Sequence, residues 1–325
     1  MNWTIPLARA LAAAVLTTFA LAAPAQQAYP NKPIRILVPF APGGSLDPVA
    51  RLVGEKLTLA WGQPVVVDNR PGGNTTIATL AAAKAPPDGH TILLTASTHV
   101  INPLLMANLP YDSEKDFIPL AIVIKSEFLL VVHPSVPANN LQEFIAYAKA
   151  RPDKVDYATA GQGNGNHIAA ELFNQVAGTR MKHVPYKGGA QAIADVIGGQ
   201  VQLMFSVPST AIPHVKSGKL RALAHTGTNA PRGLTGVPSF AQAGLPGYDL
   251  NSWQGFMVPA GTPKPIVDKL VAEITKIMAD PEVQEKLAGT GQEVWFNGPE
   301  AFAAIMKSDK DKFGQIIRTA NIKLE

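Results

Sequence analysis

The sequence predicts an α/β protein of two domains. Its length is 325 residues, against about 150 for a typical domain. Short aliphatic runs alternate with helical patterns along it, the order that builds parallel sheets covered by helices. Each half also carries a Gly-rich loop between a strand and the helix that follows, so the chain reads as two α/β units in succession.

The elements follow in order. Residues 1–25 are read apart from the fold. Arg9 precedes an uncharged apolar stretch, Leu11 to Ala23, which ends at Ala23-Pro24-Ala25. A positive start, a short apolar core and small residues at the cleavage site describe an export signal, with Gln26 as the mature N-terminus. The stretch is shorter than the roughly 20 apolar residues that span a bilayer. No later segment is long and apolar enough to do so, so a soluble exported protein is expected. Ile34 to Val38 is a buried strand, followed by the loop Pro39 to Leu46. Asp47-Pro48 is expected to open a helix to about Leu59, with Asp47 as N-cap and Pro48 in the first helical position. Val65 to Val67 is a strand, Thr75 to Lys84 an Ala-rich helix, and Thr91 to Thr95 a third strand.

Two apolar runs between Phe117 and Val132 flank Lys125-Ser126-Glu127. Leu141 to Lys149 is a helix, Val155 to Thr159 a strand, and Gly161 to Asn166 the second Gly-rich loop. A helix then runs from His167 to Ala177 and stops at Gly178. Strand and helix patterns alternate from Lys182 to Ala224, and Ser252 to Val258 returns as a strand. Val267, Leu270, Val271, Ile274, Ile277 and Met278 mark one helical face, and Phe302 to Ile317 a terminal helix.

Composition excludes several functions. An apolar fraction of 46% with 16% charged residues is that of a folded chain. The absence of Cys removes disulfides, thiolate nucleophiles and zinc-thiolate sites. A net charge of +4 is too small for a nucleic-acid protein. The second loop reads G-x-G-x-G, but no carboxylate ends the next strand, His183-Val184-Pro185-Tyr186-Lys187, so a dinucleotide site is not expected. Neither loop is a Walker motif, and neither a G-x-S-x-G elbow nor an H-E-x-x-H motif occurs.

What remains is anion chemistry. Both Gly-rich loops run into helix N-termini, where unpaired N–H groups and the positive end of the helix dipole favour a negative ligand. Gly44 and Gly163 are expected where a side chain would block the backbone's approach or strain a positive φ. Each loop alone reads more readily as a tight turn than as a site, but the recurrence in both halves favours two loops that grip one anion from both sides. His167, at the start of its helix, could donate to an anion or simply pack and cap. His99 lies just past the third strand and reads either as a cleft residue or as an exposed loop histidine. Trp253 and Phe256 read as core.

At these residues the chain resembles the substrate-binding proteins of tripartite tricarboxylate transporters, the Bug family of bacterial periplasmic receptors. The resemblance runs from Tyr29 to about Thr319. It is carried by Tyr29 to Arg35, Val38 to Gly44 with Asp47 and Ala50-Arg51, then Asp68 to Gly72, Pro87-Asp88-Gly89 and Asn102-Pro103. Leu109 to Asp112, Lys115 to Phe117, His183 to Gly188 and Pro259 to Pro263 continue it in order. It implies two α/β domains joined by two crossover strands and closing like a flytrap. The first would comprise residues 26–127 and 250–325, the second 128–249.

The implied function is capture of a small carboxylate in the periplasm, without catalysis or cofactor, by a monomer that delivers it to membrane transporter subunits. A signalling receptor or an exported hydrolase are the alternatives. The implied ligand residues are Ala41, Gly43, Gly44, Ser45 and Asp47 in the first loop, Ser97 past the third strand, Thr159, Gly161, Gln162, Gly163, Asn164 and His167 in the second, and Ser206. Three departures bear on the ligand. Asn164 stands where relatives often have Ser or Thr. Gly73-Asn74-Thr75 replaces a Gly-rich stretch. Ser206 replaces an Asp that often ends the Leu-Met-Phe strand. Without that Asp, a ligand lacking an amino group is expected: a di- or hydroxycarboxylate, or an aromatic acid.

Overall fold

The computed structural model describes residues 29–227 and 230–322. The expected export signal, residues 1–25, lies outside the described residues. The first run of elements is β1 (Ile34–Val38), α1 (Leu46–Trp61), β2 (Val65–Asn69), a 3-10 turn (Gly73–Thr75), α2 (Thr76–Ala83), β3 (Thr91–Ala96), α3 (Thr98–Leu105) and β4 (Phe117–Ser126). The middle run is β5 (Leu129–Val132), α4 (Leu141–Lys149), β6 (Asp156–Thr159), α5 (Gly165–Ala177), β7 (Lys182–Pro185), α6 (Gly189–Ile197), β8 (Leu203–Ser206), α7 (Pro208–Lys216) and β9 (Arg221–His225). The last is β10 (Ser252–Pro259), α8 (Lys264–Ala279), α9 (Pro281–Gly289), β11 (Glu293–Asn297) and α10 (Pro299–Thr319).

The strands form two mixed sheets flanked by helices. The 6-stranded sheet has the order β11-β4-β10-β3-β1-β2, and the 5-stranded sheet β7-β6-β8-β5-β9. Each contains a parallel trio, β2-β1-β3 in the first and β7-β6-β8 in the second. Each also contains a strand running against it: β10 lies antiparallel to β3 and β4, and β5 antiparallel to β8 and β9. The cause is the route of the chain. It leaves the first sheet at the C-terminal end of β4 and enters the second at the start of β5, so β5 runs away from the crossing while the trio runs toward it. On the way back β10 does the same in the first sheet. The C-terminal ends of both parallel trios therefore face the crossing, the edge at which open α/β sheets bind ligands.

The helices cover the sheets because the strands are apolar on both faces. Every residue of β3 and of β10 is buried. Trp253 on β10 packs edge-on against Phe302 of α10 with ring centroids 4.9 Å apart, and its Nε1–H donates to Asp309 Oδ2 at 2.8 Å. Phe173 of α5, Phe205 of β8, Phe240 and Tyr248 form the aromatic core of the second sheet. The Tyr248 hydroxyl donates to the Ala169 carbonyl at 2.8 Å, so burying it leaves no orphaned polar group. No helix among the described residues is long and apolar enough to cross a membrane.

Several local expectations are corrected. Helix α1 begins at Leu46, with Ser45 in the cap position and no side-chain cap, and it runs to Trp61. Asp47 and Pro48 thus lie inside the first turn. Helix α5 begins at Gly165 with Asn164 as N-cap, which makes His167 its third residue and not its first. Three elements escaped the sequence pattern, the first being α3, where a loop was expected. Helix α9 buries only Val283 and Leu287, and β11 buries none of its five residues fully, so neither shows a strong apolar period.

Candidate functional site

Loop 1 joins β1 to α1. It turns on a Gly44 N–H bond to the Ala41 carbonyl at 3.3 Å, with Gly43 in the left-handed region at φ 79°. The position that requires glycine is therefore Gly43; Gly44 lies outside the left-handed region, and a Cβ there would stand 3.3 Å from the Ala41 carbonyl oxygen. Asp47 reaches back from the first turn of α1. Its Oδ2 accepts the Gly43 N–H at 3.2 Å and Arg51 Nε–H at 3.0 Å. Burial opposes its charge, but the Arg51 bond and the Gly43 amide outweigh that and hold its pKa below the usual value. The Ser45 carbonyl accepts from Gln292 Nε2 at 2.7 Å. Among the described residues no acceptor stands at the amides of Ser45 and Leu46, the two donors at the start of α1.

Loop 2 joins β6 to α5 and is tied more heavily. Asn164 Oδ1 caps the helix by accepting the His167 N–H at 3.1 Å. The Gly163 N–H donates to His167 Nδ1 at 2.9 Å, with Gly163 at φ 74°. The Thr159 hydroxyl donates to the Gly161 carbonyl at 3.1 Å and accepts the Gly161 N–H at 3.3 Å. At the start of α5 the amides of Gly165 and Asn166 have no acceptor among the described residues. The Asn166 side chain donates to the Phe205 carbonyl, which pins α5 to the end of β8. Ser206, the next residue, is fully buried, and its hydroxyl donates to the Val207 carbonyl at 3.3 Å.

The two sheets meet at these loops. A Cβ placed on Gly165 would stand 3.7 Å from Ser97 Oγ and 3.1 Å from Phe128 Cζ. One on Gly161 would stand 3.8 Å from Asn74 Oδ1. Ser97 follows β3, the neighbour of β1, so it lies beside loop 1 in the sheet order and against the start of α5. Its Oγ shares a 2.6 Å hydrogen bond with Ser252 Oγ at the start of β10. Asn74 is held at φ 49° by a pair of bonds with Asn102: its Nδ2 donates to Asn102 Oδ1 at 2.8 Å, and Asn102 Nδ2 donates to the Asn74 carbonyl at 2.7 Å.

His99 belongs to the core. It is 1% exposed inside α3, its Nε2 bonded to the Ser113 carbonyl at 2.9 Å and its ring edge-on to Phe117 at 5.1 Å. Burial lowers its pKa to about 4, against a small opposing effect of the Ser113 carbonyl, so it is neutral and neither exposed nor in the cleft. Sequence reasoning named Asn74 only as part of a departure from a Gly-rich stretch, and did not single out Asn102, Phe128, Ser252, His183 and Gln292 as site residues. The local signal is Asn74 directly after Gly72-Gly73, since Asn tolerates positive φ.

Two mixed α/β sheets, each with a Gly-rich loop running into a helix at the C-terminal end of its parallel trio, form the architecture of a solute-binding protein. The chain matches the model of the tripartite tricarboxylate transporter receptor family over residues 49–322, and it belongs to that family. It is 39% identical over 314 residues to a UPF0065 protein of Bordetella bronchiseptica, covering 96% of this chain and 93% of that one. It is 33% identical to BugT of Bordetella pertussis, covering 95% and 96%. Among solved structures it resembles a periplasmic transporter at 38% identity and a TM-score of 0.87, over 92% of this chain and 100% of that one. An R. palustris protein with adipate gives 31% and 0.87, over 91% and 99%. MatC from Rhodopseudomonas palustris with bound malate gives 30% and 0.83, over 89% and 100%. Family and fold are those of solute-binding receptors, and not those of enzymes.

Proposed function

We propose that this chain is exported to the periplasm, loses residues 1–25, and as a monomer captures a small di- or hydroxycarboxylate, or an aromatic acid, for a tripartite tricarboxylate-type transporter. The ligand lies between a domain of residues 26–127 and 250–325 and one of 128–249. One observation carries the reading: the amides at the start of α1 and of α5 have no acceptor among the described residues, and both helices start at the C-terminal ends of the parallel trios, where a Cβ on Gly165 would stand 3.7 Å from Ser97 Oγ. A carboxylate there accepts from the Ser45 and Leu46 amides on one side and the Gly165 and Asn166 amides on the other, with each helix dipole adding to the attraction. Ala41, Gly43, Gly44 and Asp47 shape the first loop, and Thr159, Gly161, Gln162, Gly163, Asn164 and His167 the second. Ser97 and Ser206 border the ligand.

The adipate and malate in two relatives support the ligand class, since both compounds are dicarboxylates. The test is a thermal-shift screen of adipate, malate, succinate, aspartate and benzoate. A ligand at 100 times its Kd stabilises by about 2.7 kcal/mol. Stabilisation by a carboxylate, lost on blocking either loop, is the expected result; no shift with any of the acids would end the reading.

A further inference from the structure

Beneath loop 2 three rings lie one on another. His183 of β7 and His167 of α5 stack with centroids 3.9 Å apart and planes 12° apart, and Tyr157 of β6 lies 5.2 Å from His183. Each imidazole spends a nitrogen on the loop. His167 Nδ1 accepts the Gly163 N–H at 2.9 Å, so that nitrogen carries no proton. His183 Nε2 meets Thr159 Oγ at 2.6 Å. The Thr159 hydroxyl already donates to the Gly161 carbonyl, so it accepts here and His183 donates. Both rings are neutral. Burial lowers the pKa of His183 to about 4, and burial followed by the repulsion of His183 lowers that of His167 to about 3. The other titratable groups at the stack are Tyr157 and Glu171, bonded to each other, with Glu171 shifted up by burial.

We infer that the His167–His183 stack is the positioning unit of the ligand site. It turns the Gly161 and Gly163 amides inward, leaves those of Gly165 and Asn166 as the free donors, and makes the grip on the ligand fail in acid. His167 is thus a positioning residue that acts through Gly163. Protonation at Nδ1 puts a donor against the Gly163 N–H and breaks the bond. Because both pKa values are depressed, the hold is complete above the ordinary histidine pKa of about 6.5 and is lost as the pH falls toward the depressed values. The inference rests on the carboxylate-receptor reading for its ligand arm only.

The experiment compares the unmodified protein with His167→Leu, which has no acceptor, and His167→Asn, whose Oδ1 can stand near the Nδ1 position. Adipate and malate are the calorimetric probes, and exchange of the Gly163 amide is followed by NMR in ligand-free protein. The Leu variant is expected to bind more than tenfold weaker and to exchange Gly163 more than tenfold faster, with an unchanged circular dichroism spectrum. The Asn variant recovers most of both losses. Affinity of the unmodified protein stays flat from pH 8 to 6 and falls below about pH 5. The Asn variant shows only the part of that fall due to the probe's own carboxyl groups. Leu and unmodified protein alike in affinity and exchange, or Leu and Asn equally damaged, would overturn the inference. Should the Leu variant not fold, the nitrogen shifts of His167 in the unmodified protein decide: a protonated Nδ1 at pH 7 refutes it. Should neither probe bind the unmodified protein, the ligand reading falls, and exchange together with the nitrogen shifts still judges the positioning role.

Discussion

Gly43 and Gly163 occupy the left-handed region, at φ 79° and 74°, in the two loops proposed to hold the ligand. An L-residue there costs roughly 1–2 kcal/mol. Gly43→Ala and Gly163→Ala are each expected to weaken carboxylate binding by tenfold or more in a protein that still folds, as calorimetry and circular dichroism would register together. Gly44→Ala is expected to do less, because its backbone lies outside the left-handed region and the Ala41 carbonyl needs to yield by only tenths of an ångström. A different residue adds its own pH dependence to stability above neutrality. Glu127 lies on the segment between β4 and β5, 7% exposed and 3.8 Å from His225 Nδ1, with Lys125 and Glu293 the other charges acting on it. Burial raises its pKa to about 7, a little offset by Lys125. A raised carboxyl pKa means that its contribution is fully present below about 4.5 and is lost as the pH rises through about 7. Glu127→Gln should therefore stabilise the protein at pH 8 by on the order of 1–3 kcal/mol and leave it nearly unchanged at pH 4. Denaturant melts at the two values test this, and equal effects at both would refute it.

Two helices start on the same device for different purposes. Asn140 caps α4, accepting the Glu143 N–H at 2.9 Å, while Glu143 Oε2 accepts the Asn139 N–H at 2.7 Å. Asn164 caps α5 by accepting the His167 N–H at 3.1 Å. Replacing either by Ala should cost about 1 kcal/mol of stability, the usual worth of an N-cap. The consequences for binding should differ. Asn140 lies at an exposed helix start, whereas Asn164 holds the turn that carries the free amides of loop 2. Asn164→Ala is expected to weaken ligand binding several-fold and Asn140→Ala to leave it alone. Equal affinities in the two variants, at equal stability, would mean that the start of α5 is a turn and nothing more.

For the whole molecule as a receptor, the charge of the proposed ligand is the issue. The end of β8 carries Ser206, fully buried and bonded to its own neighbour's carbonyl, where the family resemblance implies that relatives often have Asp. A ligand ammonium beside it would lack a charged partner, and burying an unpaired charge is costly. Succinate is therefore expected to bind tighter than aspartate, and Ser206→Asp to narrow or reverse the preference. Paired calorimetric titrations of both proteins measure it. The competing acidic group is Asp47, whose Oδ1 is buried without a hydrogen-bond partner in the structure. If aspartate binds better to the unmodified protein, the same titrations on Asp47→Asn identify that carboxylate as the reason.

Strand and helix types, the two Gly-rich loops and the family resemblance were legible in the sequence. Each is written in neighbouring residues: aliphatic runs such as Ile34 to Val38, the 3.6-residue period of Val267 to Met278, glycine where the chain must turn. Helix α4 matches its expected limits for that reason, since its cap and its apolar face both lie within Asn140 to Lys149. The start of α1 does not, because Asp47 signals an N-cap locally but is drawn by Arg51 and the Gly43 amide into the first turn. Which amides remain free was decided only in three dimensions. Gly163 and Gly161 are withdrawn from the cleft by His167 and Thr159, and Thr159 is held by His183 from a neighbouring strand. The same holds for Ser97 and Ser252, 155 residues apart and hydrogen-bonded because β3 and β10 pair. Spacing along the chain records how a backbone turns; it does not record which distant donors and acceptors the paired strands bring together, and the site is built from those pairings.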